Sequence, residues 1–491
     1  MDQQLPDYHH QEEYQNRSEK LRQIRELGID PYPHKYSVPQ SVSEITSLYS
    51  NNPPAGSDTA ANGESDVIIA AGRLVLFRAM GKNAFAQIQD DTGRLQLMFN
   101  RDLTKVVGLD TTSSGVAPLK FIEKKLDLGD IIGVSGHIFL TKKQELTIYV
   151  KQLTLLSKSL LPLPDKYAGL QDKGLRYHKR WLDLIANPES MERFKLRSHI
   201  IHKIRQHLHD AAFLEVETPI LQSIYGGAEA DPFITDLKAH HKKMYLRIAT
   251  EISLKKLLVG GMPKVYEIGK IFRNEGIDKT HNPEFTMLEA YAAYWDYNDM
   301  MVFVENLFEK LAQALFQKTT VTIHKGDNLP LEIDFKAPWK RMSMTESIKI
   351  YATIDVVQLD DRGLMEVLLK DATIAQEEVQ SMTRGQLIAA IFEEFVEKHL
   401  IQPHHITDHP IETTPFCKLH RDPTLKKEGI VERFESFIMG VEMVNAYSEL
   451  NDPLLQRSLL EQQHVSRDDT NYDLDEDFIS AICQGMPPAA G

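Results

Sequence analysis

Cysteine is nearly missing from this chain, which has only Cys417 and Cys483 among its 491 residues. Two cysteines cannot build a metal site alone, and they do not suggest a disulfide framework. No uninterrupted apolar run approaches the ~18 residues that a membrane-spanning helix needs. The opening sequence, MDQQLPDYHHQEEYQN, is acidic and polar, unlike a secretory signal or an arginine-rich transit peptide. These absences together predict a cytoplasmic protein with no membrane partner.

Positive charge is also in deficit, because 56 Lys and Arg residues face 70 Asp and Glu residues, for a net charge of −14. This balance argues against a protein that coats nucleic acid indiscriminately. A local basic face still leaves a specific RNA partner open. The content of 42% hydrophobic and 26% charged residues is ordinary for a globular protein. The length predicts about two to four domains.

The first part of the chain predicts a charged helix followed by a small β-domain. The helix covers Glu12 to Leu27, and Gly28 ends it. The segment NNPPAGSDTAANGE, 51–64, has the composition of a loop or of disorder. Five short alternating segments follow: VIIAAGRLVLF, AFAQIQ, RLQLMF, DIIGVSGHIFL and ELTIYVKQLTLL. They fit a five-stranded barrel of the OB type, although a small β-sandwich fits the strand count as well.

After the proline-punctuated linker LPLPDK, 161–166, helices and strands are mixed. A strong helix is predicted at 191–210. Extended segments are predicted near 213–219, 244–248, 265–273 and 285–291. Loops rather than regular crossover helices join these strands, which favours an α+β domain on an antiparallel sheet flanked by helices. Helical sequence at 343–400 resembles an insertion, and strand-like sequence resumes near Val431. The predicted domains are 1–65, 66–160 and 161–491.

The segment FRNEGIDKTHNPEFTMLEAY contains the residue types that hold a nucleotide. A strand-like run ends in Arg273, whose guanidinium donors match the planar oxygens of a carboxylate and a phosphate. After a polar loop, a second run carries Phe285, a flat apolar face for an adenine ring. Period-two alternation places Phe285, Glu289 and Tyr291 on one face. An acid among aromatic neighbours predicts a basic substrate group, whereas a lone surface Glu more often serves in a salt bridge.

A second hairpin is predicted in RFESFIMGVEMVNAYSELND, with Met439-Gly440 as a two-residue turn. In that register Phe437 faces Glu442, and Glu435 faces Val444. Glu435 and Glu442 then lie diagonally on one face, roughly 7–8 Å apart at the backbone. Two carboxylates at this distance predict a magnesium site completed by substrate phosphates. A pair of acids on a solvated edge is the alternative.

Other candidates carry weaker signals. Asn445 and Glu449 have the opposite parity and reach the same site only if a bulge or bend intervenes. The paired glycines of YGGAEADPF, which include Gly227, allow close approach of a ligand or form a plain turn. Glu251 either caps a helix or holds a substrate ammonium. The predicted barrel offers a cation, an aromatic and hydrogen-bonding groups that suit single-stranded bases, a combination that many barrels contain. These residues are Arg78, Phe85, Gln96 and Glu145.

With these residues collected, the chain resembles the family of class II lysyl-tRNA synthetases along its whole length. The segments that carry the resemblance are FRNEG (272–276), HNPEF (281–285), GGAEADPF (226–233) and SELNDP (448–453). VETPIL resembles the family's first motif, which builds a homodimer interface. The resemblance implies ATP-dependent activation of L-lysine to lysyl-adenylate, and transfer of the lysyl group to tRNA(Lys), with Mg²⁺.

The resemblance also implies residue roles. Arg273 bridges the α-phosphate and the lysine carboxylate. The other ATP contacts are Glu275, His281, Asn282 and Phe285. The substrate pocket contains Gly227, Glu251, Glu289, Tyr291, Tyr447 and Glu449. The metal ligands are Glu435 and Glu442, with Asn445 beside them. The four barrel residues fall where the family contacts anticodon bases.

Two departures from the family's pattern give further expectations. Tyr447 stands where the family more often has phenylalanine, which predicts an added hydrogen bond. The family continues after GMPPAAG, 485–491, into a glycine-rich strand and a helix whose arginine packs on ATP. We therefore expect impaired ATP binding and an incomplete core for the chain as given.

Three alternatives follow from the same residues. Synthetases for aspartate or asparagine share the barrel and both hairpins, but the acids Glu289 and Glu449 argue against pockets for a carboxylate or an amide. A relative that attaches lysyl groups to a protein would lack the barrel. A catalytically impaired RNA-binding or regulatory fragment of the same fold stays open.

Overall fold

The computed structural model describes most of the chain as two compact units, Met1–Lys195 and Leu196–Gly491. The described residues are 6–50, 52, 54–164, 170–228, 230–278, 281–324, 330–371, 374–466 and 474–491. Part of the predicted linker, residues 165 and 166, lies outside them. Among the described residues, no helix is both long and apolar enough to cross a membrane.

The first unit contains a barrel of strands together with several helices. The helices are α1 Glu12–Glu26, α2 Val42–Ser50, α3 Ser57–Asn62, α4 Thr111–Ser114, α5 Pro118–Lys125, α6 Lys173–His178, α7 Arg180–Ala186 and the start of α8 Pro188–Asp210, with a 3₁₀ turn at Asp7–His10. The strands are β1 Val67–Met80, β2 Asn83–Gln89, β3 Arg94–Asn100, β4 Lys105–Val106, β5 Ile131–Leu140 and β6 Leu146–Ser157. All five predicted strands are confirmed, and β4 is a short addition.

The barrel closes because β1 serves two neighbours. Its first half pairs with β5 and its second half with β2, and a register shift between Leu74 and Leu76 bends the strand between them. The order β3-β2-β1-β5-β6-β4 then closes through a parallel pairing of β3 with β6. Alternate residues of β2 lie inside, and the intervening ones, Phe85 among them, lie on the outer face. The small closed barrel predicted from the sequence is confirmed.

The loop predicted for 51–64 is wrong over α3. This helix ends at Gly63, which has φ +79° and takes the left-handed conformation at the helix C-terminus. Ala60 of α3 is fully buried in a cluster with Phe139 and Tyr149. Composition missed the helix because its polar residues face outward and one small residue suffices to dock it. Residues 51 and 53 lie outside the described part of the chain.

The second unit is an α+β domain, as predicted. The strands are β7 Leu214–Glu215, β8 Leu221–Gln222, β9 Ile234–Leu237, β10 Lys242–Leu246, β11 Lys264–Phe272, β12 Glu284–Ala293, β13 Thr320–Ile323, β14 Leu331–Asp334, β15 Lys340–Ser343, β16 His404–Pro410, β17 Ile430–Ile438, β18 Val441–Tyr447 and β19 Ala489–Ala490. The helices are α9 Glu251–Val259, α10 Tyr297–Phe316, α11 Met344–Tyr351, α12 Asp361–Asp371, α13 Gln376–Ser381, α14 Arg384–Phe395, α15 Pro423–Lys427, α16 Pro453–Ser466 and α17 Glu476–Cys483. Two 3₁₀ turns lie at Glu397–His399 and Ile411–Thr413.

Two four-stranded sheets, β19-β12-β11-β7 and β15-β16-β17-β18, form the framework of this unit. Most neighbours are antiparallel, and the two parallel pairs are β7 with β11 and β15 with β16. The sheets meet at β19, which pairs with β12 on one side and forms a bridge from Ala490 to Ser448 on the other. The chain after β18 therefore lies close to β12.

The helical sequence at 343–400 forms α11 to α14 around an apolar cluster that includes Leu387, Ile391 and Phe437. This layer thus packs against β17. Strands resume earlier than the predicted Val431, because His404–Pro410 pairs with both β15 and β17 as β16. This strand was not predicted because three of its seven residues are histidines, so it lacks the alternation of apolar and polar residues.

A buried ion pair links the residue after β10, Arg247, to Glu267 of β11. Arg247 is 2% exposed and Glu267 is 4% exposed, and their side chains are paired. Glu267 also accepts hydrogen bonds from the Thr218 backbone and hydroxyl, and Arg247 donates to the Lys270 carbonyl. Gly269 permits this arrangement, because a Cβ there would lie 2.2 Å from the Arg247 guanidinium.

We expect Glu267→Gln to lower the free energy of unfolding by about 3–5 kcal/mol, because it leaves the Arg247 charge buried without a counter-ion. Urea unfolding followed by tryptophan fluorescence measures the change. Glu366→Gln is the matched control, since its pair with Arg362 is exposed and contributes less than about 1 kcal/mol. Equal unfolding curves for the two variants would contradict the prediction.

Candidate functional site

Glu289 occupies the predicted face of β12. β12 pairs with β11 in antiparallel register, which places Phe285, Glu289 and Tyr291 on the same side. One carboxylate oxygen of Glu289 accepts from the Thr250 amide at 2.8 Å, and the other accepts from the Tyr291 hydroxyl at 3.1 Å. Burial, followed by the charge of Glu251, raises the pKa of Glu289 to about 7. The acid is partly buried in a pocket and not turned to bulk water.

Glu251 lies at the start of α9 and is 6% exposed. Its side chain contacts Lys255 and Tyr447, and its role as a partner of a substrate ammonium stays a prediction. Tyr447 donates its hydroxyl to Glu251 at 2.6 Å, which is the added hydrogen bond predicted for this tyrosine. Gly227 has φ +87°, and a Cβ there would lie 3.2 Å from the Cβ of Glu251. The glycine therefore lets the backbone approach the acid closely.

Glu449 follows β18 and completes the group of acids. Its backbone amide donates to the Ala489 carbonyl at 2.8 Å, so β19 fixes its position. The side chain is 0% exposed, and its Oε1 accepts no hydrogen bond from any residue that the structure describes. Burial raises the pKa of Glu449 to about 8, against the opposing effect of Lys255. An unpaired buried oxygen of this kind invites a donor from a ligand.

Lys255, which the sequence analysis missed, lies between two of these acids. Its ammonium contacts Glu251 and lies 2.6 Å from Oε2 of Glu449. The rings of Phe416 and Tyr447 flank it at 4.7 and 5.4 Å. The signal was available, because a Glu four residues before a Lys on one helix is a common ion pair. We call the side chains of Glu251, Lys255, Glu289, Tyr291, Tyr447 and Glu449 the acid pocket.

Arg273 lies at the end of β11, beside Phe285. Its guanidinium carbon is 5.4 Å from the centre of the Phe285 ring, and its Nε donates to the Ile248 carbonyl at 3.4 Å. Its backbone amide donates to Pro283, which closes the loop between β11 and β12. Arg273 and Phe285 are thus neighbours, as the sequence predicts for residues that share one nucleotide.

The three remaining predicted ATP residues, Glu275, His281 and Asn282, lie exposed on this loop. The His281 ring is 2.8 Å from Asp278, and its backbone amide also donates to that carboxylate. The structure brings these residues to the same loop as Arg273 without placing them in a closed site. Their roles stay predictions.

The hairpin of β17 and β18 turns at Met439 and Gly440, both of which have positive φ. Phe437 faces Glu442, as predicted. The predicted pairing of Glu435 with Val444 is wrong, because a bulge at Met443 shifts the register.

Glu435 therefore faces Asn445 directly. Residues paired across antiparallel strands share a face, so the bulge brings Asn445 to the side of Glu435 and Glu442. By alternation Tyr447 and Glu449 follow on that side. This is the bulge on which the placement of Asn445 and Glu449 depended.

Glu435 and Glu442 suit a cation in charge and chemistry. Arg433, a second residue that the sequence analysis missed, holds Glu435 at 2.6 Å and donates to Asn445 at 3.0 Å. Glu442 keeps contact with solvent at the end of the hairpin, but the packed groups around its carboxylate desolvate it in part, and this desolvation and then the charge of Glu435 raise its pKa to about 7. A divalent cation would relieve that repulsion.

In the described part of the chain, no three His, Cys, Asp or Glu side chains form a metal cage. A hard cation held by the pair of acids would therefore take further oxygen ligands from a substrate. The carboxylate pair fits such a cation.

The four predicted barrel residues share one outer face. Arg78 of β1 faces Phe85 of β2 directly. Gln96 of β3 pairs with Gln87, two residues after Phe85 on β2, and β3 also pairs with β6. The Gln96 amide lies 2.9 Å from Thr147 and, with its nitrogen toward the carboxylate, 2.9 Å from Glu145. A cation, a ring and two polar groups thus form a continuous surface.

Comparison with known proteins agrees with this architecture. A family profile described as tRNA synthetases class II (D, K and N) matches residues 172–491, and one described as an OB-fold nucleic acid binding domain matches residues 67–156. A lysine–tRNA ligase from Chlamydia pneumoniae is 53% identical over 490 residues, 99% of this chain and 92% of the relative.

More distant relatives carry the same name. A lysine–tRNA ligase from Methanoculleus marisnigri is 44% identical over 476 residues, 96% of this chain and 88% of the relative. One from Moorella thermoacetica is 44% identical over 478 residues, 97% of this chain and 91% of the relative. These matches confirm the resemblance drawn from the sequence. The expectation about sequence after residue 491 stays a prediction.

We expect Glu289→Gln to raise the melting temperature of the ligand-free protein at pH 8 and to change it little at pH 4.5. A carboxyl whose pKa rises on folding, here from 4.5 to about 7, destabilises the folded state increasingly as pH rises through that window. The neutral amide avoids this cost, so we expect a gain of about 2 °C or more.

Glu284→Gln is the matched control on the same strand, since Glu284 is exposed and paired with Lys270. We expect a small change that is the same at both pH values. A Glu289→Gln gain that is equal at pH 4.5 and pH 8 would contradict the raised pKa. Calorimetry at the two pH values measures both variants.

Proposed function

The chain belongs to the family of class II tRNA synthetases for aspartate, lysine and asparagine, and we propose that its acid pocket binds L-lysine for ATP-dependent activation. The function is that of a lysine–tRNA ligase. Lysine and ATP form lysyl-adenylate and pyrophosphate, and the lysyl group then passes to tRNA(Lys). The observation that carries the proposal is the convergence of Glu251, Glu289 and Glu449 in one pocket.

The pocket's charge distinguishes lysine from the substrates of the neighbouring enzymes. An aspartate carboxylate would meet three acids, and an asparagine amide would leave their charges unpaired. Lysine offers an ammonium at each end of a flexible apolar stem. Glu251, beneath Gly227, receives the α-amino group, and Glu289 with Glu449 receives the side-chain ammonium. Tyr291 and Tyr447 hold the acids in place through their hydroxyl groups.

Arg273 performs the central task of adenylate formation. An oxygen of the lysine carboxylate attacks the α-phosphorus of ATP, and pyrophosphate leaves. This displacement depends on alignment and charge neutralisation rather than on a general base. Arg273 binds the carboxylate and the α-phosphate side by side, while Phe285 stacks on the adenine. Glu275, His281 and Asn282 complete the ATP site from the loop.

Glu435 and Glu442 would hold Mg²⁺, with Asn445 beside them. When bound, the ion supplies charge neutralisation at the ATP phosphates. Arg433 orients both Glu435 and Asn445 through the contacts described above. The Arg433 side chain therefore keeps Glu435, one acid of the pair, in a fixed position.

The barrel provides the RNA side of the reaction. Arg78, Phe85, Gln96 and Glu145 contact anticodon bases by stacking and by hydrogen bonds to their edges. We propose the domains 1–65, 66–160 and 161–491 for helix, barrel and catalysis, in a cytoplasmic homodimer. VETPIL lies at the dimer interface, which is supported by exposed apolar residues in and beside it: Leu214, Ile220 and Leu221.

We expect ATP–pyrophosphate exchange to depend on lysine and Glu289→Gln to lower its kcat/KM by at least about 100-fold, because one ammonium loses its charged partner. Exchange assays with lysine, aspartate and asparagine measure the specificity. Glu284→Gln, exposed on the same strand, serves as control and should retain the activity. Comparable exchange with aspartate or asparagine would overturn the assignment.

We expect Phe85→Ala to weaken tRNA charging roughly 5- to 100-fold through the KM for tRNA, because a stacked base loses its platform. Lysine-dependent exchange should stay near the unsubstituted value, since no ATP or lysine contact changes. Tyr177→Ala, which removes another exposed aromatic of the first unit, is the control and should leave both activities unchanged. Loss of both activities in Phe85→Ala would show that the ring supports folding instead.

A further inference from the structure

Lys255 is a fully buried cation inside a pocket that is proposed to bind a cation. Its side chain is 0% exposed and contacts Glu251, four residues earlier on α9, and Glu449, far away in sequence. Burial alone would lower the pKa of Lys255, but the charges of Glu251 and Glu449 raise it. The residue therefore stays positively charged in the empty pocket.

Another buried ion pair of this unit, Arg247 with Glu267, is an example of a structural contact. Each of these two charges has one counter-charge, Arg247 also donates to the Lys270 carbonyl, and Glu267 also accepts from the Thr218 amide and hydroxyl. Lys255 instead faces two acids of a group of three. Oε1 of Glu449 still accepts no hydrogen bond from the described residues. The pocket thus retains unused acceptor capacity and unbalanced charge.

The charges of the acid pocket can be counted. When all three carboxylates are ionised, the ammonium of Lys255 compensates one of them and two negative charges remain uncompensated. Zwitterionic lysine carries two ammonium groups, and its carboxylate is directed to Arg273 outside the pocket. The number of positive charges that lysine introduces therefore equals the number that the pocket lacks. Without Lys255 the pocket would have one carboxylate too many, and one acid would retain a proton or repel its neighbours.

We propose that Lys255 is a positioning and specificity-determining residue, an internal counter-ion that fixes Glu251 and Glu449 and leaves two uncompensated charges for the two ammonium groups of lysine. This role rests on the proposed function. It explains why a pocket that selects a cation contains one of its own. The Lys255 ammonium contacts both Glu251 and Glu449 and so holds together two acids that would otherwise repel each other.

Lys255→Met tests the proposal by removing the charge while keeping a long apolar side chain. In the unsubstituted enzyme, kcat/KM for lysine in pyrophosphate exchange should rise from pH 6 to pH 8.5, as the acids ionise. In Lys255→Met we expect kcat/KM to fall about 100-fold at pH 8.5. The rise with pH should disappear, because ionisation of the third acid now adds an unpaired charge. Lys256→Met, on the same helix with a weaker ion pair to Asp475, should behave as the unsubstituted enzyme.

A double-substitution cycle with Glu449→Gln separates charge balance from folding. With Lys255 present, Glu449→Gln should reduce kcat/KM at least about 100-fold. In the Lys255→Met background it should cost less than about 10-fold, because it removes the surplus charge. The double variant is also expected to fold if Lys255→Met alone does not, since it leaves no surplus acid, and its exchange activity then supports the proposal.

Two results would overturn the role of Lys255 and leave the proposed function intact. One is an equal loss in Lys255→Met at every pH, and the other is strict additivity in the cycle, each with normal lysine-dependent exchange in the unsubstituted enzyme. Absence of lysine-dependent exchange in the unsubstituted enzyme would instead overturn the proposed function itself. Thermal unfolding of each variant identifies the folded samples.

Discussion

The requirement to hold several carboxylates inside one pocket organises the catalytic unit. An ionised acid away from water is costly unless cations or hydrogen-bond donors compensate it. Helix α9 supplies Glu251 and Lys255, β12 supplies Glu289 and Tyr291, and the chain around the end of β18 supplies Tyr447 and Glu449. An amide, two hydroxyl groups and one ammonium offset part of the cost. In the proposed function a cationic substrate offsets the remainder, and the proposed preference for lysine follows from this deficit of positive charge.

The hairpin of β17 and β18 also combines neighbouring carboxylates with one basic side chain. Arg433 holds Glu435 as Lys255 holds Glu449, and in each case another acid nearby has a raised pKa. Each group of acids therefore contains one basic side chain and has more carboxylates than that side chain can neutralise. The two groups lie on the same face because the bulge in β18 corrects the parity of the residues after it. A single extra residue, Met443, thus places Glu435 and Glu442, the proposed metal ligands, on the same side of the hairpin as Tyr447 and Glu449 of the acid pocket.

Local sequence patterns predicted much of this architecture, and contacts between distant residues account for what they missed. The five barrel strands, the two hairpins and the turn at Met439 follow from alternation and turn residues. Aromatic neighbours set Glu289 apart from a surface acid, whereas Glu251 and Glu449 were assigned to the pocket only through the family resemblance. The bulge was not predictable, since the packing of the hairpin and not its composition decides which residue is extra. Helix α3 was missed because its only fully buried apolar residue, among those described, is Ala60, which packs against Phe139 and Tyr149.

Lys255 illustrates a different limit of the sequence. Its spacing from Glu251 was visible, but such pairs usually lie on exposed helix faces. Only the fold shows that this pair is buried and that Glu449, almost two hundred positions later, completes it. Likewise the pairing of β12 with β19, which brings Glu449 beside Glu289, joins segments that no local pattern connects.

The raised pKa values of Glu289 and Glu449, about 7 and about 8, have a consequence for how the pocket fills. Near neutral pH the empty pocket holds hydrogen ions on these carboxyl groups for part of the time. An arriving ammonium favours their ionised forms, so its entry expels hydrogen ions into the solvent. Lysine binding is therefore coupled to the release of hydrogen ions. The measured enthalpy of binding then depends on the buffer that takes up these hydrogen ions, and the apparent affinity depends on pH.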